Sequence, residues 1–175
     1  VCYYRDGQQI ADQLEVSAIP SCVAEAAYVT SQPDLHPVEF GPDAMNSPAI
    51  IAELKEALKA WEPGAPAFTI NLSHLPMSAE DHKVIDAAVG AGAVQMMSRG
   101  FGNCRISSTD VRHVWKVQYL NNAPARLMIL NTLVVAGLPE EAVAASEDLA
   151  DSAVRIKELI EWVTKSWELS PVEVK

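Results

Sequence analysis

Apolar and polar positions along this chain change period several times, and each change marks an element. Val1 to Tyr4 is apolar and aromatic, Asp6-Gly7 is a turn signal, and Ile10, Leu14 and Val16 precede a break at Pro20, so residues 1–20 read as a hairpin. A short helix is expected around Cys22 to Val29. Pro33, Pro37, Pro42 and Pro48 with Gly41 then deny residues 31–48 regular structure. Helical spacing follows, with Pro48 in the first turn, Ile51, Leu54 and Leu58 on one face, and Pro63-Gly64 as the stop.

The middle of the chain is richer in strand formers. Ala67 to Leu72 reads as a strand, and Ser78 with Asp81 three residues later forms a capping box for a helix to about Val89, stopped by Gly90 and Gly92. Four more strands are expected near residues 93–98, 104–108, 113–120 and 127–135. In the third, Val114, Lys116 and Gln118 alternate with Trp115, Val117 and Tyr119, which predicts one buried and one wet face. Ser146 opens a long helix whose apolar positions are Leu149, Ala153, Ile156, Ile160, Val163 and Trp167. The fold class is α+β: a mostly antiparallel β-sheet covered by helices, with a long C-terminal helix.

An internal similarity alters the domain reading. Leu14 to Pro20 and Leu133 to Pro139 share the spacing Leu-x-Val-x-x-apolar-Pro, and both are followed by Ala-rich sequence. Residues 1–30 are therefore expected to be the closing hairpin and short helix of a truncated preceding repeat. Residues 31–48 form a Pro-rich linker, 49–168 the complete domain, and 169–175 a tail. The missing Met at Val1 fits a start removed by processing or truncation.

Composition narrows the function classes. The chain has 175 residues and a net charge of -10, so nucleic acid and anionic membrane surfaces are disfavoured as partners. No apolar run reaches the ~20 residues that cross a bilayer, and three cysteines fit no disulfide framework. A cytoplasmic location is expected. The charge is uneven: residues 99–126 hold Arg99, Arg105, Arg112, Lys116 and Arg126 against one acid, Asp110.

Within that basic segment Gly100-Phe-Gly-Asn-Cys-Arg105 is the sharpest cluster. Arg99 and Arg105 would favour a thiolate at Cys104 if all three pointed to one side, giving a redox or soft-metal thiol; otherwise Cys104 is a small buried residue at a strand start. His36, His74, His82 and His113 show no zinc spacing, Ser107-Ser108-Thr109 lacks a nucleophile elbow, and Gly90-Ala-Gly92 is too short for a phosphate loop. No catalytic constellation, metal set or cofactor is identified. Trp115, Tyr119 and Arg112 form either a recognition surface or, for the two aromatics, a core under the C-terminal helix.

The motifs Leu75-Pro-Met-Ser78, Ser98-Arg-Gly-Phe-Gly-Asn-Cys-Arg-Ile106, Val114-Trp-x-Val-Gln-Tyr119-x-Asn121, Ile129-Leu-Asn-Thr132 and Glu147-Asp-Leu-x-Asp-Ser-Ala153 together resemble the C-terminal domain of the HupH/HyaF hydrogenase expression proteins. Lys116 departs from the Trp or Arg usual in that motif. The resemblance implies a two-part accessory protein that helps a nickel-iron hydrogenase to mature. It would work as a chaperone for the iron-sulfur small subunit or with other accessory proteins, with no established reaction or cofactor. Arg99, Asn103, Cys104, Arg105, Arg112, Lys116 and Gln118 are the expected partner-binding residues. The alternative is a thiol-based redox or metal-handling protein centred on Cys104, and self-association is a further expectation.

Overall fold

The computed structural model describes residues 2–12, 15–29, 31–98, 103–121 and 127–168. The chain divides into two units, Val1–Pro20 with Ala144–Lys175, and Ser21–Val143. In the first, β1 (Cys2–Arg5) and β2 (Gln8–Asp12) pair antiparallel around Asp6-Gly7, both at positive φ. The long helix α4 (Ser146–Glu168) belongs to the same unit. Its N-terminal side is tied to the hairpin's exit by Ala144 N–H donating to the Ala18 carbonyl at 2.8 Å. Among the described residues no helix is long and apolar enough to cross a membrane.

The second unit carries α1 (Ser21–Val29), α2 (Ser47–Ala60), β3 (Phe68–Asn71), α3 (Ala79–Val89), β4 (Gln95–Ser98), β5 (Asn103–Ser108), β6 (Val114–Leu120) and β7 (Met128–Val135). Its five strands form an antiparallel sheet in the order β3-β7-β6-β5-β4, so β3 and β4 are the edges. Both faces carry helices. On one, Ile50 and Leu54 of α2 and Ile85 and Val89 of α3 enclose Ile70, Val114, Leu133 and Val135. On the other, Ala27 of α1 joins Cys104, Ile106, Trp115, Val117 and Val134, with Val23, Ala26 and Tyr28 at its margin. The helix completing the core around Trp115 is thus α1. The wet face expected for β6 is only half realised, because Val114 on that face is also buried.

The Pro-rich residues are irregular but anchored. Gln32 N–H donates to the Asp110 carbonyl at 2.8 Å, His36 N–H to Ala88 at 2.9 Å, and the His36 ring pairs with Asp110 at 2.9 Å. Leu35 and Val38 pack beside Ile51, Val84 and Ala88.

One carboxylate sets the geometry of α2 and α3. Asp81 Oδ2 accepts from Ser78 N–H at 2.9 Å and Ser78 Oγ accepts from Asp81 N–H at 3.0 Å, the capping box foreseen from sequence. Asp81 Oδ1 also accepts from the backbone N–H of Met45, Asn46 and Ser47 at 2.9, 3.1 and 2.9 Å, and from Ser47 Oγ at 2.7 Å. These lie at the start of α2, where the N-cap residue Asn46 supplies no side-chain cap of its own. The carboxylate of one helix therefore caps two, and a negative charge at two helix N-termini is favourable on both counts.

Tight backbone approach fixes the link from α3 to β4. A Cβ on Gly92 would sit 2.3 Å from Ser108 Oγ and 2.6 Å from the Thr109 carbonyl oxygen. Nearby, His113 adopts φ +69° and stacks on Trp61 with ring centroids 3.6 Å apart, its Nδ1 buried without a partner among the described residues.

Acid is expected to weaken the fold in two stages. Burial, reinforced by the Arg112 charge, lowers the His113 pKa, so the unfolded chain takes up that proton first. Stability present above about pH 6.5 is then lost as the pH falls toward the depressed folded value. Burial by itself would raise the Asp81 pKa, but its hydrogen bonds from Ser47, Ser78 and Asn46 outweigh that and hold it far below the usual carboxylate range. Its contribution is present above about pH 4 and declines below that. Urea unfolding followed by circular dichroism against pH checks both. His113→Asn, which tolerates the left-handed backbone, should flatten the first stage, and Asp81→Asn the second while lowering the melting temperature by roughly 5–10 °C. Gly92→Ala should cost about 2 kcal/mol in the same assay, because the atoms it meets include backbone that cannot yield.

Candidate interaction surface

Register decides which of the expected residues meet. On β5, Cys104, Ile106 and Ser108 are buried and Asn103, Arg105 and Ser107 half-buried, so the strand turns its odd-numbered residues away from α1. Arg105 stands opposite Met97 on β4 and Gln118 on β6, and Gln118 stands opposite Asn131 on β7. Met97, Arg105, Gln118 and Asn131 therefore form one row across four strands. Gln118 Nε2 donates to Asn131 Oδ1 at 3.1 Å and approaches Met128 Sδ at 4.0 Å. Asn131 N–H donates to Ser73 Oγ at 2.8 Å, which ties the row to the 3-10 turn Leu72–His74. Ser73 N–H in turn donates to Asn71 Oδ1 at 3.0 Å.

The row lies beside a contact with α3. Lys116, two residues before Gln118 on the same strand face, forms an ion pair with Asp86 of α3. Two residues beyond Gln118 on the same strand face, Leu120 is buried again. Asn103 also lies on this face, and its amide donates to the Asn121 carbonyl at 3.5 Å. Met97 and Met128 are 37% and 51% exposed.

The other expected residues lie elsewhere. Cys104 faces the α1 side and is buried, with Arg105 directed to the opposite face, so the arrangement that would lower its pKa is not formed by this pair. Burial instead raises the thiol pKa, a hydrogen bond with Tyr119 opposes that, and the Glu141 charge adds to the rise. Tyr119 donates to Glu141 Oε1 at 3.3 Å, and its pKa is pushed up to about 12, by burial first and then by the charge of Glu141. Cys104 is held as a neutral thiol, the opposite of what a nucleophilic or metal-binding cysteine needs. Arg112 is exposed in the turn before β6, and the strand from Val114 to Gln118 already spans about 13 Å at ~3.3 Å per residue. Arg99, Gly100 to Gly102 and Arg126 lie outside the described residues. The basic segment of the sequence is consequently not one basic patch among the described residues.

Three participants escaped the sequence reading. Met97 and Asn131 enter the row only through β4–β5 and β6–β7 pairing, and Asp86 reaches Lys116 from a helix 30 residues away. The available signal was the polar pair Asn131-Thr132 inside the otherwise apolar run Met128–Val135. Among the described residues no group of three or more His, Cys, Asp or Glu side chains is placed to hold a metal.

Comparison with known proteins places the chain. Residues 44–163 match the family described as HupH hydrogenase expression protein, C-terminal conserved region. The hydrogenase expression/formation protein HoxQ of Cupriavidus necator is 44% identical over 153 residues, which cover 87% of this chain and 54% of that protein. HupH of Rhodobacter capsulatus is also 44% identical over 153 residues, covering 86% and 54%. The chain thus spans about half the length of these relatives. The solved hydrogenase expression protein HupH from Thiobacillus denitrificans shares the fold, with a TM-score of 0.54 at 24% identity over 68% of this chain and 96% of that one. With its family match covering more than half of its length and relatives at 44% identity, this chain belongs to the HupH hydrogenase expression protein family, in the C-terminal conserved region.

Proposed function

We propose that this chain is the working part of an accessory protein in nickel-iron hydrogenase formation. It is a non-catalytic assembly chaperone acting in the cytoplasm, without a resident cofactor, on the iron-sulfur small subunit or on a fellow accessory protein. The relatives' names, hydrogenase expression/formation proteins, support the setting. The observation that carries the mode of action is the convergence of residues from three separate family-like motifs, Arg105, Gln118 and Asn131, in one half-buried row on one face of the sheet. Arg and Met are favoured at interfaces, and a row mounted on four paired strands needs little ordering on binding.

Groups that could suggest chemistry are engaged in holding the fold. The His36 ring is bound by Gln32 and Asp110, Ser108 Oγ accepts from Val94 N–H at 3.0 Å, and Thr109 Oγ1 donates to the carbonyls of Val111 and Val114 at 3.0 and 2.8 Å. Cys104 is bound to Tyr119. These contacts support a scaffold that presents a surface.

Co-purification of the full-length protein from cells expressing a complete hydrogenase operon tests the proposal. The small subunit or an accessory protein is expected in the eluate, and recovery of neither overturns it. Charge reversal at Arg105, alone or with Arg99, should weaken the complex by at least about tenfold. Reversal at Arg155 or Lys165 on α4 should leave it within about twofold. Equal losses would remove the row from the interface.

A further inference from the structure

The donors and acceptors of the row do not balance, and the imbalance specifies what it accepts. Arg105 brings five N–H donors to a half-buried position, and no carboxylate lies within ion-pair distance of it among the described residues. Beside it, the acceptor of Asn131 is taken by Gln118 Nε2, which leaves the Asn131 amide N–H groups unengaged among the described residues. The neighbouring cation, Lys116, is already neutralised by Asp86. A guanidinium partly withdrawn from water pays for desolvation that only an acceptor can return, and a planar carboxylate matches its fork in two parallel bonds. Met97 and Met128 flank this centre with adaptable thioether surface that would exclude water around such a pair.

Building on the reading of this face as a protein-binding surface, we infer that the Arg105–Gln118–Asn131 row is a recognition site for an acidic side chain of the partner polypeptide. The carboxylate is gripped by Arg105 and Asn131, and the flanking residues of the partner rest on Met97 and Met128. A polyanion is a poorer match. A single cation in this row, within a protein of charge -10, gives short-range complementarity, whereas a nucleic-acid backbone would meet repulsion over the rest of the surface.

Nuclear magnetic resonance titration of the isotope-labelled full-length protein tests this, with a short capped peptide alternating alanine and glutamate as the probe. The side-chain signals of Arg105, Gln118 and Asn131 should shift saturably. Arg105→Gln should abolish the response, and Arg105→Lys, which keeps charge without the fork, should weaken it about tenfold. The inference is overturned by any of four results: no saturable shift, an equal response to the glutamine version of the peptide, persistence in Arg105→Gln, or equal saturation by acetate at matched carboxylate concentration, which would mark a free-anion site. Retained co-purification of hydrogenase components by Arg105→Gln alongside a null titration would sink this inference alone. Failure of wild-type co-purification would sink the broader proposal instead.

Discussion

The Asp81 carboxylate is the contact on which the arrangement of this fold turns. It is fully buried, and a buried carboxylate is tolerable only when its lone pairs are filled by well-placed donors. Here those donors are the first N–H groups of α2, the hydroxyl of Ser47 and the N-cap N–H of α3, so the requirement of one charge locks two helix starts together. Neither helix can tilt or slide along the sheet without stranding that charge. Ile50 and Leu54 of α2 and Ile85 and Val89 of α3 are thereby held over the same four sheet residues.

That constraint also fixes where α3 meets the sheet. α3 reaches the polar-bearing face through the Asp86–Lys116 pair, and the next alternate residues along β5 and β6 are Arg105 and Gln118. On the opposite face α1 completes the core around Trp115, and the same strands bury Cys104 and Val117 there. Strand alternation and helix placement together sort the chemistry. The thiol goes into the core, where burial keeps it protonated, and the guanidinium goes to the opposite face, where no carboxylate among the described residues pairs with it.

Local features of the sequence carried most of the element list. The Asp6-Gly7 turn, Pro48 at the start of α2, the Ser78–Asp81 box and the glycines after α3 act within a few residues of where they stand, and the structure shows each in place. The Pro-rich stretch is irregular as expected, yet it is fastened through Gln32 and His36 to Asp110 and Ala88. Those partners are distant in sequence and leave no local mark. The second role of Asp81 was hidden for the same reason: a capping box is legible over three residues, but its other oxygen serves a helix more than thirty residues earlier.

By itself, then, the sequence determined the order and kind of the elements, the α+β class and the family, because periodicity, turn chemistry and motif spacing are local properties of the chain. It also nominated Arg105, Lys116 and Gln118. Tertiary structure alone decided that Arg105 and Cys104, adjacent in sequence, stand on opposite faces, that Lys116 is neutralised by α3, and that Asn131 and Met97 join Arg105 and Gln118. Pairing register is a long-range choice, made by which residues must be buried beneath α1, α2 and α3, and shifting it by one residue would exchange the two faces.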